Sequence, residues 1–167
     1  MIPDPADGAI SDPDLEQGVL AGATVNAELA RQAALVVTEG HFTTERARFH
    51  WRCIARCVEQ GIDANRVSIR QAAKALRVDG TITLGYLAEC DETIPFDITG
   101  YDSWLIKLDE LRTRRRLIER LRAVEVRVCD LQQPVADILE TVGRIGTDIG
   151  GDSRVDLDFA TVGDVIA

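Results

Sequence analysis

LRTRRRLIERLRAVEVRVCDLQQPVADILETVGRIGTDIG, residues 111–150, decides the fold. In its first half Leu117, Leu121, Val124 and Val128 recur at steps of four, three and four. After Pro134 the apolar positions Val135, Ile138, Val142, Ile145 and Ile149 step by three, four, three and four. A strand would alternate every second residue, whereas this spacing keeps one stripe on a helix face. Only Gly100 interrupts the stretch from Asp97 to Cys129 with a glycine or proline, so the first of the two helices is long. Two stripes of matched period, joined by the short link Asp130 to Gln133, predict an antiparallel helical hairpin.

Upstream, the punctuation is that of several shorter helices. Asp12-Pro13 is an N-cap followed by proline at the first helical position, with Leu15, Val19 and Leu20 on one face behind it. Asn26 caps a second helix, with Leu29, Ala33, Val36 and Val37 as its stripe and Gly40 as its stop. Thr43 or Thr44 starts a third, which carries Phe49, Cys53, Ile54, Cys57 and Val58 as far as Gly61. Ser68 with Gln71 has the form of a capping box and opens a short helix through Leu76, closed by the turn Asp79-Gly80. A last short helix holds Leu84, Leu87 and Ala88, and Pro95 ends the region. The expected class is all-α: a disordered acidic tail over 1–11, a compact multi-helix globular subdomain over 12–96, the long antiparallel hairpin over 97–149 and an acidic linker over 150–167.

The whole chain, 167 residues with 46% apolar and 28% charged, suffices for one sizeable core. Its net charge of −9 repels a polyanion unless basic residues gather locally. They do gather between Leu111 and Val128, where seven arginines face only Glu119 and Glu125, while the blocks on either side are acidic. No aromatic residue interleaves that block to stack on bases, and a solvated helix face answering its acidic neighbours is the favoured reading. Arg112, Arg116 and Arg120 are expected on an exposed hairpin face that pairs with acids of a neighbouring subunit or partner. No apolar run approaches the roughly 20 residues of a membrane helix, and the N-terminus is acidic where a signal peptide is basic, so a cytoplasmic protein is expected.

Catalytic chemistry is hard to place. A P-loop needs a glycine-rich turn followed by a lysine, but Lys74 and Lys107 follow Ala73 and Ile106, and Gly143, Gly146, Gly150 and Gly151 precede no lysine. Nucleotide hydrolysis by this chain alone is not expected. His50, Cys53 and Cys57 fall near one another on a helix, yet mid-helix cysteines are more often core than zinc ligands, so neither metal nor cofactor is expected. Cys90 and Cys129 have no base at a telling spacing, and His41 reads as a loop residue near a helix start. Ser68 to Glu89 has the outline of a helix-turn-helix, but its second helix begins with Ile82, Thr83 and Leu84 where a DNA reader needs basic or amide side chains.

Taken together, the segments resemble the N-terminal domain of DnaB-type replicative DNA helicases. LEQGVLAG (15–22) resembles that family's opening helix, and Phe42 with Arg48 stand in its next segment. VSIRQAAKAL (67–76) and GYLAEC (85–90) are similar to two further helices, while Pro95, Asp97, Ile98 and Tyr101 stand where the family has Pro, Asn-Ile and Tyr. RRLIERL (115–121) looks like its hairpin entry, and VDLDFATVGDVIA (155–167) like the start of its interdomain linker. Departures are Ala47 at a usual His, Cys90 at a Leu, about one inserted helical turn between Tyr101 and Arg116, and the absence from this chain of the family's ATPase domain. The resemblance implies an oligomerisation module: dimers assembled in a hexameric collar, with hairpins that meet primase or a helicase loader. It implies no motor activity and no direct nucleic-acid contact for this part. The interaction residues expected on the hairpin are Leu117, Leu121, Val124, Val128, Val135, Ile138, Val142, Arg112, Arg116 and Arg120. Rival readings are a helix-turn-helix DNA-binding regulator and a freestanding phage or plasmid modulator of a host helicase.

Overall fold

The computed structural model describes residues 10–78, 80–92 and 98–150. Among them there are seven α-helices and no strand: α1 (Pro13–Val25), α2 (Ala27–Val36), α3 (Glu45–Glu59), α4 (Arg66–Ala75), α5 (Leu84–Glu92), α6 (Tyr101–Cys129) and α7 (Val135–Gly150). The class is all-α. Residues 1–9 of the expected tail, Asp79, Pro95, Asp97 and the expected linker beyond Gly150 lie outside the described residues.

Local chemistry sets the helix starts. Asp12 accepts from the Leu15 amide at 3.0 Å, and its other oxygen meets Lys107 Nζ at 2.9 Å, tying the cap of α1 to α6. The Lys107 ammonium and the Leu15 amide hold the Asp12 carboxyl below its ordinary pKa. Asn26 ends α1 and caps α2 by accepting from Glu28 and Leu29, and Thr44 caps α3 by accepting from Ala47. Gly61, at φ +67°, supplies the left-handed residue just past the end of α3.

Two of three expected boundaries move. α2 ends at Val36, not at Gly40, which lies inside a 3₁₀ turn over Glu39–His41. Ser68 is not a cap: Asn65 is, accepting from the Val67 and Ser68 amides, while the Ser68 hydroxyl accepts from the Asn65 amide in return. Asn competes well for this role because its carbonyl oxygen reaches both amides at once. The end of α4 does not move: it closes at Leu76 as expected, with Arg77 in the left-handed region (φ 60°) just beyond it.

The core gathers Val19, Leu20, Phe42, Trp51, Cys53, Ile54, Ile69, Ile82 and Leu87 with Tyr101, Leu105 and Leu108 of α6. The long helix is thus rooted among α1, α2 and the 3₁₀ turn before it runs on into the hairpin. Its root explains a glycine: a Cβ built on Gly22 would lie 2.6 Å from Tyr101 Cε2, and that ring is pinned by its hydroxyl donating to the Val19 carbonyl at 2.8 Å. Gly22→Ala must shift a buried ring or separate α1 from α6, and overpacking of this kind costs about 1–3 kcal/mol. A thermal melt of G22A should fall by several degrees relative to wild type; an unchanged melt would show that the two helices are not held at this distance.

Candidate functional site

α7 packs back along the distal half of α6, and Arg127 reaches across to donate to the Thr141 hydroxyl at 3.0 Å. Ile138 and Ile145, seven residues apart, are buried at 8% exposure each. Val135 and Val142, also seven apart, remain 69% and 46% exposed. The physical reason is width: a stripe with steps of three and four holds two rows, and one neighbouring helix covers only one of them. On α6 neither row is covered: Leu117, Leu121 and Val128 are exposed and Val124 is half-buried. Leu131 at the tip, and Val126 and Leu139 outside the expected stripes, add to the exposed apolar surface. A two-helix hairpin therefore presents large aliphatic side chains to solvent along most of its length.

The arginines separate into different environments. Arg120 is exposed as expected and Arg116 is half-buried. Arg112 departs from the expected exposed position: its side chain is only 16% exposed, because Asp109, one turn back, draws the guanidinium inward to 3.7 Å. Arg114 pairs with Glu110 on the surface. Arg115 is buried at 9% and donates to three main-chain carbonyls, Ile10 at 3.1 Å, Gly40 at 3.4 Å and His41 at 2.6 Å. Those carbonyls belong to the segment before α1 and to the 3₁₀ turn, so Arg115 ties both to α6. Burial pushes its pKa down from the ordinary guanidinium value, with Glu16 and Glu119 acting in the opposite sense.

His41 has a polar role that the sequence does not reveal. It does lie in the turn that leads into α3, but it is fully buried, with Nδ1 accepting from the Thr38 amide at 2.9 Å and Nε2 lying 3.0 Å from Asp109 Oδ1. Because Nδ1 is an acceptor, the proton sits on Nε2 and is donated to the carboxylate. A His-Asp pair is a familiar element of nucleophilic catalysis, but both side chains here are shut away from solvent, at 0% and 3% exposure. Its role is to fasten the 3₁₀ turn to α6. Glu16, equally buried, accepts from both the amide and the hydroxyl of Thr43 and joins α1 to the start of α3. Nothing in periodicity singles out these polar residues, since each finds its partner far away in sequence.

His50 is likewise committed to packing. Thr24 gives its hydroxyl proton to the Leu20 carbonyl and so accepts from His50 Nε2 at 3.2 Å, while Nδ1 accepts from the Tyr86 hydroxyl at 3.2 Å. Desolvation, aided by the nearby Arg46 charge, holds its pKa down at about 3. Cys53, pushed up to about 11 by burial, and Cys57, also raised, are buried thiols in the core. Among the described residues no three His, Cys, Asp or Glu side chains group to hold a metal ion. The second half of the helix-turn-helix outline is α5, which packs on α1 with Leu87 fully buried and Arg46 stacked 3.9 Å from the Tyr86 ring centre. That arrangement places α5 in the body of the domain. No described helix is long and apolar enough to cross a membrane.

No protein-family model matches the chain, and no curated protein does. Among solved structures, the fold is similar to the crystal structure of the N-terminal domain of DnaB helicase from Mycobacterium tuberculosis, with a TM-score of 0.72 and 17% sequence identity. The likeness covers 83% of this chain and 97% of that one. At that identity the likeness is one of fold.

Proposed function

We propose that this chain is an oligomerisation and protein-interaction module of a DnaB-like replicative DNA helicase, without motor activity of its own. It would assemble as dimers within a hexameric collar and dock primase or a helicase loader through its hairpin. The observation that carries this reading is the set of aliphatic side chains, Leu117, Leu121, Val128, Val135 and Val142, left exposed on a hairpin in which Ile138 and Ile145 are already packed. Apolar patches of that extent on a monomer mark interaction sites. A second hairpin offering the same face would cover them in the self-complementary manner of a two-fold dimer. The fold likeness to a helicase domain supports the setting.

Leu121→Asp provides the test. At 39% exposure in the single chain, an aspartate there can reach water, so the monomer should keep its fold. Across a dimer contact it would be buried unpaired, at a cost of several kcal/mol or about that order. The expected result is a lower mass in sedimentation at micromolar concentration with an unchanged circular dichroism spectrum. A wild-type chain that sediments as a monomer, or a variant that keeps the wild-type assembled mass, would refute the shared face.

A further inference from the structure

A groove of about 680 Å³ lies between the segment leading into α3 and the middle of α6. Arg48, Arg112, Arg115 and Arg116 line it, together with Thr43 and Glu119. Two of these arginines are held in an unusual way. Arg115 bonds only to main-chain carbonyls, and Arg48 donates Nε to the Phe42 carbonyl at 2.9 Å. Neither forms an ion pair with a carboxylate among the described residues. Carbonyls fix a guanidinium in place without cancelling its charge, whereas a carboxylate does both. The acids nearby are Glu119 on the wall, Asp109 behind Arg112, Glu16, which is engaged with Thr43, and Glu39, which pairs with Arg52 and acts on Arg48 from a distance. The amino-terminal end of the 15-residue helix α3 opens close by through Thr44, also on the groove wall, adding its positive dipole end to the same space.

We propose that this groove binds a phosphate group carried by a small ligand. The arginines come from two elements, Arg48 from α3 and the other three from α6, and line the groove together. A phosphate group can accept from several such donors, while one planar fork already satisfies a carboxylate. The size of the groove suits a compact anion, and the overall net charge of −9 repels a long polyanion. Neither the assembly proposed above nor its partners require such a ligand.

The probe is inorganic pyrophosphate, titrated into the full chain by calorimetry with ionic strength matched by sodium chloride. Saturable binding is expected, weakened at least tenfold in Arg48→Gln/Arg116→Gln and unchanged in Arg144→Gln, which removes one charge from α7 away from the groove. Melting curves keep the reading clean, because the double variant must show its own cooperative transition; should it not fold, Arg48→Lys replaces it, with weakened binding again expected. Titration of ATP without magnesium, and of a 5′-phosphorylated oligonucleotide against its 5′-hydroxyl counterpart, distinguishes a free phosphate ligand from a strand end. Binding of ATP through its terminal phosphate supports the site, whereas capture of the 5′-phosphorylated strand end in preference to pyrophosphate and ATP would assign the groove to nucleic acid and overturn the small-ligand proposal. Heat no different from matched sodium chloride, equal binding by the groove variants, oligonucleotide binding indifferent to the 5′-phosphate, or a hexaglutamate peptide binding as tightly as pyrophosphate would each overturn it.

Discussion

Arg115→Met should lower the stability of the fold by about 3 kcal/mol, the largest loss expected from any single surface-distant arginine in the chain. Methionine matches the apolar stem of arginine, so the loss isolates the guanidinium and not the packing of the side chain. Its removal leaves the carbonyls of Ile10, Gly40 and His41 without their shared donor; the bonds to Ile10 and His41 are buried, and each such orphan costs about 1–3 kcal/mol, whereas water can replace the bond at the exposed Gly40. Denaturant unfolding measures the total. Amide exchange should show faster opening of Phe42 and of the residues flanking Ile10, while α4 and α5, which lie elsewhere, keep their protection. A uniform loss of protection, or a midpoint within error of wild type, would show that the tie is not what holds those segments.

The second large effect is on pH. His50 is fully buried and neutral, with a folded pKa of about 3 against 6.5 for an unperturbed side chain. Below pH 6.5 the unfolded chain takes up a proton that the folded chain refuses until about pH 3. Stability from this group is therefore complete above pH 6.5 and is lost as the pH falls through that window. Between pH 7 and pH 4.5 the loss amounts to about 2–3 kcal/mol on the linkage relation. Carboxylates titrate near the lower end of the same range, so the measurement is a difference: His50→Gln should be less stable than wild type at pH 7 yet show a shallower decline toward pH 4.5. Parallel declines for the two proteins would exclude the histidine as the source.

Much of the architecture is written in short-range signals. Asp12, Asn26 and Thr44 cap the helices expected of them because a cap is decided by bonds to amides two or three residues away. The rise of α6 through its seam and the return of α7 after Pro134 are likewise local, set by spacing and by the absence of breakers. What periodicity does not contain is which of two rows a neighbour covers, and so Ile138 and Ile145 go inward while Val135 and Val142 stay out. Long polar side chains are less legible still. Arg112 and Arg115 stand three residues apart in the same basic run as Arg120, yet one leans on Asp109 and the other crosses to carbonyls 74 to 105 residues away. The His41 and Asp109 pair spans 68 residues and carries no motif that spacing could reveal.

The rooting of α6 has a mechanical consequence. From Tyr101 to Cys129 the helix is one continuous rod of about 44 Å at 1.5 Å per residue, with no proline or glycine along it to act as a hinge. It is clamped in its first turns by Tyr101, Leu105 and Leu108 and again near its middle by Arg115, so it behaves as a cantilever whose fixed end is the core and whose free end, about 21 Å from Arg115 to Cys129, is the hairpin tip. A tilt of about 5° at the clamp would carry the tip through roughly 2 Å over that free length. Torque applied by anything gripping the tip meets the Arg115 ties first and reaches the contact between Gly22 and the Tyr101 ring only through them.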